Sequence, residues 1–162
     1  MQTNSPKKWT HRAEYCLLRI IQAILTLLPR PVALKIGSLT GYFLYAIGVY
    51  RKIVRKNLDL VNLWSARESA AITRNLYHNM SRYAVDFLRT GKKAIQYRTH
   101  HFEIIDSLRK NGKGVIVLLA HFGNWEILAD LFGSKVETLH VVAKPMKNPL
   151  VDNWLADRKS VV

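Results

Sequence analysis

The stretch that most constrains the fold is a short apolar run that ends in a polar, glycine-containing turn. Residues 115–120 read VIVLLA, follow Gly114 and stop at His121. Their length, β-branched side chains and flanking turn residues favour a buried strand over a buried helix, although periodicity alone does not separate the two. Residues 124–132 then predict a helix. A strand that leads into a helix indicates an α/β fold, in which reactive groups gather where the strands end.

A histidine and an acid flank this turn. On one continuous helix His121 and Glu126 would point roughly 140° apart, at about 100° per residue, so His121 is expected in the turn. Gly123 lets the backbone bend and Asn124 is a good N-cap, which places Glu126 in the first helical turn, within reach of the imidazole. The two residues form either a general base with its orienting carboxylate or a polar pair that only caps the helix, and their spacing leaves both interpretations open.

The N-terminal part of the chain is predicted to be helical after about ten frayed, polar residues. Residues 13–28 form an amphipathic pattern that Pro29 and Pro31 stop. Residues 32–50 are apolar, with Lys35 as their one charge, and are borderline for a membrane span. A core helix and a membrane-embedded helix are equally open interpretations of this second segment.

Further along, caps and periodicity predict three more helices and a second strand. Ser65 and Glu68 form a capping-box pattern that opens a helix over Ala66–Arg89, and another helix follows over residues 102–110. The apolar run 138–143 predicts a parallel neighbour for the first strand, with residues 124–132 as the crossover helix. Asn148 and Pro149 are expected to start a final helix that runs to about residue 159.

The charge of the chain is strongly positive and unevenly placed. Its 162 residues carry a formal net charge of +14, and residues 1–58 hold ten Lys and Arg against the single acid Glu14. Such a basic region implies an anionic partner, either membrane lipid or nucleic acid. The zinc-finger spacing and the aromatic strand motifs of nucleic-acid binders are missing from the sequence, and the basic residues stand beside long apolar helices, which favours a membrane. Cys16 is the one cysteine, so neither a disulfide nor a cysteine-based metal site is expected.

Three segments of the chain resemble a known family. HFGNWE at residues 121–126, RKNL at residues 55–58 and KPMKNPLVDNWLADRKS at residues 144–160 are similar to motifs of the lipid A biosynthesis acyltransferases, the late lauroyl/myristoyl-type enzymes. The likeness covers most of the chain from about Leu27. It implies an α/β fold like that of the glycerolipid acyltransferases, with N-terminal helices followed by a partial parallel sheet and crossover helices.

The resemblance also implies an organisation into two regions. Residues 1–60 are expected to be a membrane-associating helical region, and residues 61–162 the beginning of the acyltransferase α/β domain. Two predicted strands make a marginal sheet, so we expect the chain to be the N-terminal part of a longer protein. The location expected from the family is the cytoplasmic face of the inner membrane.

The activity that the resemblance implies is transfer of a fatty acyl group from acyl-carrier protein or acyl-CoA to a hydroxyl of a lipid A precursor, with no metal or cofactor. His121 would be the base and Glu126 its orienting acid. Arg158 matches a family arginine, whereas Lys144 stands where the family usually has arginine and loses the bidentate fork of a guanidinium. For Arg158 and Lys144, solvated charges are the alternative to substrate binding.

Gly123 and Asn124 are further substrate-binding candidates that also have a structural explanation, as turn and cap residues. Acylation of another glycolipid or of a lysophospholipid, and an inactive membrane-bound fragment, are the alternative functions.

Overall fold

The computed structural model describes residues 7–90, 98–110, 114–125, 127–128, 131–132, 140 and 144–160. Six helices have defined bounds within these ranges: α1 Lys7–Leu27, α2 Arg30–Ile47, α3 Arg51–Val61, α4 Ala66–Arg89, α5 Glu103–Arg109 and α6 Pro149–Ser160. The backbone is also helical at Trp125, Ile127, Leu128, Leu131 and Phe132.

The predicted α/β fold with a partial parallel sheet is wrong, because the part of the chain that the structure describes is helical or irregular and contains no strand. Residues 115–120, predicted to be a buried strand, are irregular and exposed, and Ile116 and Leu118 are 98% and 95% accessible. A strand exists only when a neighbour pairs its backbone N–H and C=O groups. The predicted neighbour at residues 138–143 lies outside the described residues except for His140, which is irregular and exposed.

The helix α4 begins and ends where its sequence pattern predicts. The Ser65 hydroxyl accepts a hydrogen bond from the Glu68 backbone N–H at 3.3 Å, and the Glu68 carboxylate accepts from the Ser65 backbone N–H at 2.8 Å, which confirms the capping box. Hydrogen bonds from the Ser65 side chain and backbone lower the pKa of the Glu68 carboxyl. This contribution to stability is therefore present at neutral pH and is lost as the pH falls through the lowered pKa.

Other helix predictions hold with shifted ends. The segment 32–50 corresponds to α2, which Gly48 ends at a φ of 76°, and residues 102–110 and 148–159 correspond to α5 and α6. The helix α1 begins at Lys7, although residues 1–10 were expected to be frayed, and its first turns contact α6. The helix α3 was not predicted from the sequence.

The helices α2 and α4 pack at unusually short range through two glycines. A Cβ atom on Gly41 would lie 2.5 Å from the Tyr77 backbone oxygen and 2.9 Å from the His78 Cα, and one on Gly37 would lie 2.8 Å from Val85 Cγ2. The two backbones can come this close only because glycine has no side chain. Near the same interface, Leu25 of α1, Ala33 of α2 and Val85 of α4 form a small buried cluster.

Polar groups of α4 hold the ends of α1 and α2. Asp86 accepts two hydrogen bonds from the Arg30 guanidinium, at 2.9 and 2.8 Å, and this pairing raises the pKa of Arg30. Arg89, which is 4% exposed, donates to the carbonyl oxygens of Leu25 and Leu28 at the C-terminal end of α1. A buried cation thus satisfies carbonyl groups that the helix itself leaves without a partner.

In the described part of the chain, no single helix is both long enough and apolar enough to span a membrane. The helices α2 and α3 pass the same test only as a pair, with a bend of 84° between them.

Replacement of Gly41 by alanine tests the close packing of α2 on α4. The new Cβ would overlap the Tyr77 carbonyl, so we expect the free energy of unfolding to fall by about 1–3 kcal/mol, as for other overpacked sites. For a chain of this size, 1 kcal/mol shifts the melting temperature by about 2–4 °C. Thermal unfolding in mild detergent measures the shift.

The control for Gly41→Ala is Thr40→Ala, one residue away on the exposed side of the same helix, where a change to alanine should be close to neutral. Equal melting temperatures for Gly41→Ala and Thr40→Ala would contradict the close approach of the two backbones.

Candidate active site

The turn at His121 contains a left-handed backbone conformation at Gly123, which glycine adopts without strain. The Phe122 backbone N–H donates to the Ala120 oxygen at 2.8 Å, and Gly123 has a φ of 65°, in the left-handed region. Helical backbone follows from Trp125, and the Ile127 N–H donates to the Asn124 oxygen at 3.2 Å. His121 therefore lies in a bend just before a helix and is exposed to solvent.

The imidazole of His121 has an aromatic neighbour across the turn. The rings of His121 and Trp125 have centroids 4.8 Å apart and planes at 51°, which is within the range of favourable aromatic contacts. Such a contact restricts the orientation of the imidazole. This contact was not predicted from the sequence, because it depends on the path of the turn between the two residues.

The predicted partner of His121 is not among the described residues. Glu126 lies outside them, so its hydrogen bond with the imidazole stays a prediction. Gly123 and Asn124 are brought next to His121 by the turn and are both partly buried. The turn therefore contains three of the predicted site residues.

The remaining predicted site residues lie in and after the loop at residues 144–148. Lys144 is exposed in an irregular segment, and no hydrogen bond or ion pair of the described residues joins it to the turn at His121. Arg158 lies in α6, and its side chain is outside the described part of the structure. The structure does not bring Lys144 into contact with His121.

Exposed apolar residues stand close to the exposed histidine in the sequence. Ile116, Leu118 and Phe122 are 98%, 95% and 88% accessible, and all three lie within five residues of His121. An exposed apolar segment of this kind marks a place where an apolar ligand, a membrane or another protein surface binds. A polar group that can exchange a proton thus lies in a stretch of chain that also exposes apolar side chains.

A second exposed surface belongs to α3. Lys52, Arg55 and Lys56 line one shallow groove with Asp59 and Leu60, while Ile53 and Leu60 are 57% and 75% accessible. Cations and exposed apolar side chains on one helix form an amphipathic surface suited to an anionic interface. Among the residues that the structure describes, no three His, Cys, Asp or Glu side chains are close enough together to hold a metal ion.

The candidate site is thus a solvent-open histidine in a stretch with exposed apolar residues, on a chain with exposed apolar and basic helices. A model of the bacterial lipid A biosynthesis acyltransferase family matches residues 3–161, and the chain belongs to this family. This match confirms the resemblance carried by the three sequence motifs. Membership makes the protein an acyltransferase of lipid A biosynthesis, with an acyl donor and a lipid acceptor. No curated protein and no solved structure matches the chain significantly.

Replacement of Gly123 tests the turn geometry. Alanine at a φ of 65° is strained by roughly 1–2 kcal/mol, whereas asparagine visits this region more readily. We therefore expect Gly123→Ala to lower acyl transfer more than Gly123→Asn. Initial rates of acyl transfer in membranes that contain equal amounts of each variant measure the difference.

Gly114→Ala is the control for Gly123→Ala, because a Cβ at Gly114 meets no atom within 4 Å. If Gly123→Ala and Gly114→Ala were equally active, the left-handed turn would not matter for catalysis.

Proposed function

We propose that the protein transfers a fatty acyl group from a thioester of acyl-carrier protein or coenzyme A to a hydroxyl of a lipid A precursor, with His121 as the general base. The observation that carries this proposal is the exposed imidazole in a turn, next in sequence to exposed apolar residues, in a chain of the lipid A acyltransferase family. No residue of the protein needs to be acylated in this reaction.

The chemical steps follow from an imidazole with one free nitrogen. His121 takes the proton of the acceptor hydroxyl as the oxygen attacks the thioester carbonyl, and a C–O bond forms. The C–S bond then breaks, and the departing thiolate receives the proton back from the imidazolium. Glu126 orients the ring and stabilises its positive charge, as in other histidine–carboxylate pairs.

The charged candidates have a separate role in this proposal. Arg158 and Lys144 bind the phosphate groups of the acceptor, or the carbonyl oxygen as negative charge develops on it. Lys144 acts as a single charge rather than a bidentate fork. Ile116, Leu118 and Phe122 provide apolar surface for the acyl chain, since each buried CH₂ of the chain contributes roughly 0.8 kcal/mol.

His121→Ala is the direct test of the mechanism. Because a positioned general base contributes about 10² to 10⁴ in rate, we expect acyl transfer to fall by that factor with little change in stability. The assay follows a labelled acyl group from acyl-carrier protein or acyl-CoA to a lipid A precursor. A parallel series with other glycolipid and lysophospholipid acceptors identifies the acceptor class.

His101→Ala is the matched control for His121→Ala, because His101 is also exposed and its ion pair is with the exposed Glu103. It should retain at least about half of the activity, since no step of the mechanism uses it. Unchanged acyl transfer by His121→Ala would overturn the proposal, and so would an equal loss in the control.

The proposed place of action is the cytoplasmic face of the inner membrane, with residues 1–60 in contact with lipid. Exposed apolar side chains recur along α1 at Leu17, Ile20, Ile24 and Leu27, and along α2 at Leu39, Phe43 and Ile47. Spacings of three and four residues place each set on one helix face. The cations of α3 add attraction to anionic headgroups, about 1 kcal/mol for each basic residue near the surface.

Neutralisation of α3 tests this membrane contact. The triple variant Lys52→Gln, Arg55→Gln, Lys56→Gln should bind vesicles that contain phosphatidylglycerol about a hundredfold more weakly, because it loses three favourable charges. Binding to neutral phosphatidylcholine vesicles should not change. Sedimentation with vesicles at low and high salt measures both.

A second triple variant controls for net charge. Arg67→Gln, Arg74→Gln, Lys110→Gln removes the same charge from exposed positions outside α3 and should bind nearly as well as the wild type. Equal weakening by both triple variants would contradict a specific role for α3.

A further inference from the structure

Asn148 connects two parts of the chain that are far apart in sequence. It directly precedes α6, and it is 7% exposed although the residues on either side of it are exposed. Its amide nitrogen donates to the His11 backbone oxygen at 2.9 Å and to the Glu14 carboxylate at 2.8 Å, and both acceptors belong to α1. Buried polar groups are expected to be paired, and here the pairing crosses more than 130 residues.

The same side chain also caps α6. The Asn148 Oδ1 accepts from the Leu150 backbone N–H at 3.0 Å, while the Asp152 N–H bonds to the Asn148 backbone oxygen at 2.9 Å. Asparagine, aspartate and serine cap helices about equally well. Only asparagine among them can accept at the cap and donate two further hydrogen bonds, so the contact with α1 gives a reason for an amide that capping does not.

Asn148 fixes the C-terminal end of the loop at residues 144–147, which carries Lys144. Two residues before Asn148, the Met146 backbone N–H donates to the Asp152 carboxylate at 2.8 Å, which folds the loop back on the first turn of α6. The loop therefore moves with the start of α6, and Asn148 ties that start to α1.

We infer that Asn148 is a positioning residue for acyl transfer: it holds the loop at residues 144–147 at a fixed place relative to α1, so that Lys144 meets the anionic headgroup of the lipid acceptor. This inference rests on the proposed function. The helix α6 has a second attachment, because the Trp154 ring contacts Phe87 of α4 edge-on at a centroid distance of 6.1 Å. Loss of the amide contact therefore displaces the loop without undocking α6.

Exchanging the amide of residue 148 and the carboxylate of residue 14 tests the contact between Asn148 and Glu14. Asn148→Asp keeps the cap acceptor for Leu150 but places a carboxylate against the Glu14 carboxylate and the His11 oxygen. Glu14→Gln alone keeps an acceptor for the Asn148 amide and should behave like the wild type. In the double variant, the side-chain amide that Glu14→Gln introduces can donate to the new carboxylate at position 148, so most of the lost function should return.

The primary measurement is steady-state acyl transfer with the acceptor and the donor varied separately. For Asn148→Asp we expect the KM for the lipid acceptor to rise about tenfold, the cost of roughly one buried hydrogen-bonding group, while the KM for the thioester donor stays within about twofold. The double variant should recover to within about threefold of the wild type. Melting temperatures and hydrogen exchange of the first turns of α1 and α6 accompany the kinetics.

The outcomes separate this inference from the proposed function. A wild-type protein with no acyl transfer overturns both. An active wild type with Asn148→Asp equally active, or with a double variant no better than Asn148→Asp, overturns the positioning role alone. Parallel increases in both KM values, or a loss explained by the unfolded fraction at the assay temperature, also overturn it, because they indicate a general structural defect.

Discussion

The close approach of α2 and α4 is the constraint on which the described structure depends. Gly37 and Gly41 let the two backbones approach until any side chain at Gly41 would overlap the Tyr77 carbonyl. Once α4 is in this place, its C-terminal turn presents Asp86 to Arg30 and Arg89 to the last carbonyl groups of α1. The packing of two glycines thus determines where three helices meet.

From this junction the structure extends to the candidate substrate loop. The helix α1 is fixed at its C-terminal end by Arg89, and its N-terminal turns accept the amide of Asn148. The helix α6 is held to α4 through Trp154 and Phe87. A lipid bound to the exposed face of α1, as proposed, would therefore be connected through that helix to the loop that contains Lys144.

The sequence predicted the elements whose signals are local. The capping box of Ser65 and Glu68 and the apolar stripe that follows it are enough to define α4, and Asn148 with Pro149 is enough to start α6. The helix α3 was not predicted, because the charge of its basic residues is a stronger signal than the spacing of its apolar residues. The helix α1 begins earlier than predicted and contacts Asn148 near that end, and such a long-range contact is not visible in local sequence.

The strand prediction failed for a related reason, since residues 115–120 have the composition of a buried strand but no described neighbour to pair with. A strand, unlike a helix, obtains its hydrogen bonds from another segment, so composition alone does not create it. Asn124 directly precedes the helical backbone, as predicted from its residue type, and the contact between His121 and Trp125 was missed because it depends on the exact path of the turn.

The error in fold class does not remove the candidate site, because the geometry around His121 is local. The left-handed backbone of Gly123 and the helical start at Trp125 set the direction of the imidazole within five residues. A sheet edge would add neighbours to this turn, but neither the bend nor the ring contact requires one. The proposal for His121 therefore rests on an exposed histidine in a glycine turn, next in sequence to exposed apolar residues, and on the family to which the chain belongs.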